Sequence, residues 1–111
     1  MQQANRIRKN GQFRYVYRKG KRAASSTMVA YYVKAGRLQA GFSVSRKVGN
    51  AVVRNRVKRR MRESFRLMMP LLRRGSYIFS ARDAAAQADY RTISGEMTGL
   101  LTRLGTFKDK P

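Results

Sequence analysis

Cysteine, histidine and tryptophan are absent from the 111 residues, and Asp plus Glu number only 5. Without cysteine there is no disulfide and no thiolate nucleophile. Without histidine there is no imidazole base, and the two absences together remove every Cys/His zinc site. Glu63 is isolated in mid-chain, and Asp83, Asp89, Glu96 and Asp109 are scattered over the last third. That dispersal argues against a carboxylate cage for a metal ion and against a paired general acid and base. The expectation is a protein with no catalytic residues and with no metal or cofactor bound by the protein alone. No stretch approaches the roughly 18 consecutive apolar residues of a membrane span, and the polar start has no apolar core of a signal peptide. A cytoplasmic protein with no membrane partner is expected, which the lack of cysteine also suits.

What is present is positive charge. Lys plus Arg number 26, for a formal net charge of +21, far more than solubility requires, so the partner should be a polyanion. The length fits one small domain over residues 1–111, and the ends, 1–5 and 106–111, read as flexible tails.

The charge is densest at residues 49–69, GNAVVRNRVKRRMRESFRLMM. Val53, Val57, Met61, Ser64 and Met68 recur at helical spacing and form one buried stripe. Arg54, Lys58 and Arg62 follow one another at i, i+4 and i+8 along a flank, while Asn55, Arg59 and Arg66 stand opposite the stripe. Asn50 suits the N-cap, and Pro70 stops the helix. Its single acid, Glu63, reaches Arg59 or Arg66. The other like charges repel, and a ladder of guanidinium groups that can fork onto successive phosphates is the natural use for them.

Before this helix, residues 6–22 carry eight basic side chains and no acid, interleaved with Phe13, Tyr15 and Tyr17. Asn10 can cap a short helix there and Gly20 can close it, with Phe13, Val16 and Tyr17 on one face. The aromatic rings serve either a core or base stacking. Residues 27–34 and 38–45 alternate like strands and read as a hairpin, with a three-residue loop holding Gly36 in the left-handed region. That register sorts the side chains into two faces. Met28, Ala30, Tyr32, Leu38, Ala40, Phe42 and Val44 form an apolar one; Val29, Tyr31, Val33, Gln39, Gly41, Ser43 and Ser45 form a mixed one. The mixed face is either an open floor for an extended strand of ligand or the seat of a packed helix. Residues 77–82 form a further strand, so strand, basic helix and strand make a βαβ crossover with parallel pairing, right-handed by the general rule. Residues 84–104 end in a core helix with Asp89 as cap and Gly105 as terminator.

The run SVSRKVGNAVVRNRVKRRMRE, with Arg-Asn-Arg-x-Lys-Arg-x-x-Arg at residues 54–62, resembles the bacterial ribonuclease P protein component. The resemblance extends to N-x-x-F-x-x-V-Y-x-x-G-K at residues 10–21 and to G-F-S-V-S at residues 41–45, and so covers nearly the whole chain. It implies an α+β fold, an α/β sandwich of order αβββαβα similar to the second domain of ribosomal protein S5, with a left-handed crossover. It implies a subunit of a ribonucleoprotein endoribonuclease in which the RNA subunit, with bound Mg2+, hydrolyses the phosphodiester and removes the 5′ leader of precursor tRNA. Carried over by position, Arg54, Asn55, Arg56, Lys58, Arg59 and Arg62 would face the catalytic RNA, with Arg46 and Lys47 beside them. Phe13, Tyr17, Val29 and Tyr31 would line the leader cleft, with Ser43 and Ser45 on the same floor. Arg60 departs from the family pattern, in which that position is often apolar. The expected partners are the catalytic RNA subunit and precursor tRNA, the protein being a monomer within the ribonucleoprotein. The competing reading is a small ribosomal or RNA-chaperone protein with no processing role, and a nucleoid DNA-binding protein comes third.

Overall fold

The computed structural model describes residues 5–108. Three helices and four strands follow in the order α1 (Asn10–Lys19), β1 (Lys21–Ala24), β2 (Met28–Val33), β3 (Gln39–Ser43), α2 (Ala51–Met68), β4 (Ser76–Ala81) and α3 (Tyr90–Arg103). Short 3-10 turns at Arg46–Val48, Met69–Leu71 and Asp83–Gln87 join them. This is the αβββαβα order and the α+β class.

The hairpin expected from β2 and β3 does not form. The sheet order is β1-β2-β4-β3, with β4 antiparallel to β2 and parallel to β3, and Gly36 is not among the glycines with positive φ. The reason is burial. Tyr77, Ile78 and Phe79 are all fully buried, and a strand apolar on both faces belongs at the centre of a covered sheet. The two faces nevertheless come out as the alternation requires, because β4 pairs in register with both neighbours: Ala30, Phe79 and Phe42 make one row, and Tyr31, Ile78 and Gly41 the next. The β3-α2-β4 crossover with parallel pairing is present.

The first row belongs to the larger core, where α2 and α3 cover one face of the sheet through Val57, Met61, Phe65, Ile93, Met97 and Leu101. Phe65 sits at its centre, its ring 5.3 Å from Tyr77, 5.5 Å from Phe79 and 6.0 Å from Phe42. Replacing it by alanine should cost about 3–5 kcal/mol. On the other face α1 packs Val16 against Ile7 and Ile78, with Phe13, Tyr31 and Val33 around them.

The helix ends show which local signals act. The Asn50 side chain accepts a bond of 3.0 Å from the Val53 N–H, and Asp89 one of 2.8 Å from the Thr92 N–H, so both predicted caps are in place. Asn10 is instead the first residue of α1, and Lys9 stands at the N-cap with no side-chain bond. The end of the chain also differs from the expected loose tail. Leu72 pairs with Phe107, the Arg73 N–H donates to the Thr106 carbonyl at 2.8 Å, and the buried Thr106 hydroxyl donates to the Leu101 carbonyl at 3.0 Å. These bonds fix residues 106–108 to the segment after α2. At the other end, Asn5 Nδ2 donates to the Leu38 carbonyl and the Ile7 N–H to the Ala40 carbonyl, so Asn5 too is tied to the β3 edge. Residues 1–4 and 109–111 of the expected tails lie outside the described residues.

Candidate nucleic-acid interface

Capped by Asn50 and stopped before Pro70, α2 buries Val57, Met61, Ser64 and Phe65 and presents its cations around the remaining surface. Arg46 and Lys47 are exposed on the 3-10 turn leading into it; Asn55 and Arg59 are exposed on the helix, and Arg54, Lys58 and Arg62 are half-buried along its flank. Glu63 pairs with Arg66 rather than Arg59. The hydrogen bond from Arg66 holds the Glu63 carboxyl below its usual range. Two of the arginines have structural partners. Arg56 Nη2 donates to the Ala86 carbonyl at 3.1 Å and Arg60 Nη1 to the Ala88 carbonyl at 2.7 Å, which ties the segment after β4 to α2. This explains how a charged residue at position 60 is accommodated.

The cleft is assembled from three elements. In α1, helical spacing puts Asn10, Phe13, Arg14 and Tyr17 on one side. Below them, Val29, Ser80 and Ser43 lie opposite one another across β2, β4 and β3. The Tyr17 ring meets Tyr31 edge-on at 4.8 Å and Phe13 at 6.2 Å, and its hydroxyl is 3.0 Å from Ser80 Oγ. Phe13 reaches the sheet because residue 41 is glycine; a Cβ there would lie 2.7 Å from its Cζ. Between α1, β3 and α2 this leaves an open concavity of about 500 Å³ lined by Phe13, Tyr17, Ser43, Arg14 and Lys58 among others.

Of the six residues expected in the cleft, the structure therefore brings Phe13, Tyr17 and Ser43 to the concavity itself. Tyr31 lies beneath Tyr17, and Val29, only 8% exposed, belongs to the floor behind. Ser45 is exposed beyond the end of β3, where its carbonyl accepts the Val48 N–H. Sequence reasoning missed Asn10, Arg14 and Ser80. The first two carried a signal, since they fall on the Phe13–Tyr17 side at helical spacing. Ser80 alternates with Tyr77 and Phe79 and becomes visible once β4 is central.

Cations on a half-exposed helix, continuous with an aromatic groove that has no acidic lining among the described residues, define a small α+β protein of the polyanion-binding class. Known proteins make the class particular. The family model described as Ribonuclease P matches residues 1–105. The chain is 42% identical over 109 residues to the ribonuclease P protein component of Caldanaerobacter subterraneus subsp. tengcongensis, covering 95% of this chain and 93% of that one. It is 42% identical over 112 residues to that of Clostridium novyi, covering 96% and 99%. Among solved structures, the RNase P protein of Staphylococcus aureus superposes with a TM-score of 0.88 at 32% identity, covering 96% of this chain and 100% of that one. The RNase P protein of Thermotoga maritima does so with a TM-score of 0.79 at 28% identity, over 88% and 96%. This chain belongs to the ribonuclease P protein family.

Proposed function

We propose that the chain is the protein subunit of a ribonuclease P ribonucleoprotein, assisting removal of the 5′ leader from precursor tRNA in the cytoplasm. Lys58 carries this reading: it belongs to the α2 ladder of Arg54, Lys58 and Arg62 and also lines the concavity with Phe13, Tyr17 and Ser43. A single surface would thus hold two RNA strands side by side. Arg46, Lys47, Arg54, Asn55, Arg56, Lys58, Arg59 and Arg62 dock the catalytic RNA. Phe13 and Tyr17, above the Val29, Tyr31, Ser43 and Ser45 side of the sheet, receive the leader. Stacking and phosphate contacts tolerate any sequence, as a variable leader demands.

Hydrolysis is the work of the RNA and the Mg2+ it binds, in keeping with a chain that has no histidine or cysteine and only 5 acids. The protein's side chains neutralise phosphates, position the leader and so lower the magnesium requirement, acting as one copy within the complex. The test is equilibrium binding of the reconstituted complex to precursor and to mature tRNA. Tyr17→Ala, which trims a side chain on a residue already 37% exposed, should lose about 1–3 kcal/mol on the precursor and nothing on the mature tRNA. Equal losses on both would overturn the leader cleft.

A further inference from the structure

A second concavity, of about 860 Å³, opens at the far end of the sheet. Lys19, Lys21, Lys34, Arg73, Arg74 and Lys108 surround it, and among the described residues no acid lines it. These six cations come from the end of α1, the start of β1, the end of β2, the link before β4 and the end of the described chain. Convergence of Lys19, Lys21, Lys34, Arg74 and Lys108 from separate segments is no by-product of one basic helix, and their mutual repulsion is what a bound anion would relieve.

The platform beneath them is rigid. The Tyr32 hydroxyl donates to the Arg74 carbonyl at 2.7 Å and the Tyr77 hydroxyl to the Arg73 carbonyl at 2.6 Å. Burial pushes both phenols above their ordinary pKa, so both stay protonated donors. Gly75 lets the loop close on the Tyr32 ring, where a Cβ would lie 2.3 Å from Cε1. The Lys108 N–H donates to the Leu71 carbonyl at 2.8 Å, so the segment paired with residues 71–73 brings in the sixth cation. The floor is apolar, made by Tyr32, Val33 and Leu104.

We infer that this concavity is a second RNA-binding site, taking the phosphates of a strand on its cationic rim and an unstacked base on its floor. It rests on the RNA-binding reading above but uses none of the same residues. It opens where β4 begins, whereas Ser80 of the leader cleft lies towards the other end of that strand. Because β4 is six residues long, roughly 20 Å end to end, this opening stands apart from the leader cleft, and the RNA segment held here would be a different one from the leader.

The test measures affinity of the full chain for ribonuclease P RNA as a function of salt. Lys34→Ala with Arg74→Ala should reduce the steepness of log Kd against log salt by about 1.5, from two lost phosphate contacts. The melting temperature should not fall, since the pair removes like charges, and Lys34→Arg with Arg74→Lys should keep the wild-type slope. An unchanged slope in the alanine pair, alongside a flattened slope in Arg59→Ala, would overturn this site while leaving the α2 interface standing. A slope unmoved by Arg59→Ala as well would instead overturn the RNA reading on which both depend. Photo-crosslinkers attached through Lys34→Cys and Arg59→Cys should mark separate stretches of the RNA, and a shared stretch would overturn the inference. Saturable binding of inorganic triphosphate, lost in the alanine pair while the RNA slope stays unchanged, would replace RNA by a small polyphosphate as the occupant.

Discussion

Arg56 and Arg59 are three residues apart on one helix and do different things. Arg59 projects into solvent, so Arg59→Ala should weaken binding to the catalytic RNA and flatten the log–log salt dependence by about 0.7–0.9, with no change in melting temperature. Arg56 donates to the Ala86 carbonyl, so Arg56→Ala should also destabilise the fold by about 1 kcal/mol, as read by urea denaturation. If both variants melt like the wild type, the structural role of Arg56 is wrong. Ser64 supplies the opposite case: its hydroxyl is buried in the α2 stripe without a partner, so Ser64→Ala should be neutral or stabilise by up to about 1 kcal/mol. The periodicity of α2 makes each of these positions legible as buried or outward. It does not reveal that Arg56 and Arg60 end on carbonyls, because Ala86 and Ala88 are brought there by a 3-10 turn whose alanines carry no pattern of their own.

Between elements, the turn joining β1 to β2 is latched to α3 by Glu96. Its carboxylate accepts from Ser26 Oγ at 2.8 Å, Thr27 Oγ1 at 2.7 Å and the Thr27 N–H at 3.0 Å. Partial burial alone would raise the carboxyl, but hydrogen bonds from the residue 25–27 hydroxyls and the Thr27 N–H outweigh it and bring the pKa from 4.5 to about 2. A folded pKa below the unfolded one means that the latch contributes fully above about pH 4.5 and is lost as pH falls towards 2. Glu96→Gln should therefore destabilise by about 2 kcal/mol at neutral pH, the gap to wild type closing as pH falls through that window. An equal gap in acid would contradict the assignment. Nothing in the sequence pairs residue 96 with residues 25–27, since a lone acid on a helix gives no sign of its partner. The sheet has the same limit. Alternation gave the faces of β2 and β3 correctly yet made them neighbours, while the two-sided burial that puts β4 between them was readable in Tyr77-Ile78-Phe79. Of the cleft, the aromatic residues of α1 were legible and Ser80 was not, because its place depends on that strand order.

Over the molecule as a whole, 26 cations face 5 acids, and exposed pairs such as Glu63–Arg66 offset little of the repulsion. Bound anions should therefore stabilise the free protein. Phosphate or sulfate should raise the melting temperature more than sodium chloride of equal ionic strength, and restore cooperative melting lost in low salt. Cooperative melting without any such anion would contradict this. If one basic surface serves both the catalytic RNA and the leader, the protein should stimulate cleavage only where a leader is present. Single-turnover cleavage of precursor tRNA by ribonuclease P RNA at low magnesium, with and without this protein, on long-leader and leaderless substrates, measures this. Stimulation should depend on the leader and be lost in Lys58→Ala. Tight RNA binding with no stimulation of either substrate would contradict it and favour a ribosomal or RNA-chaperone role.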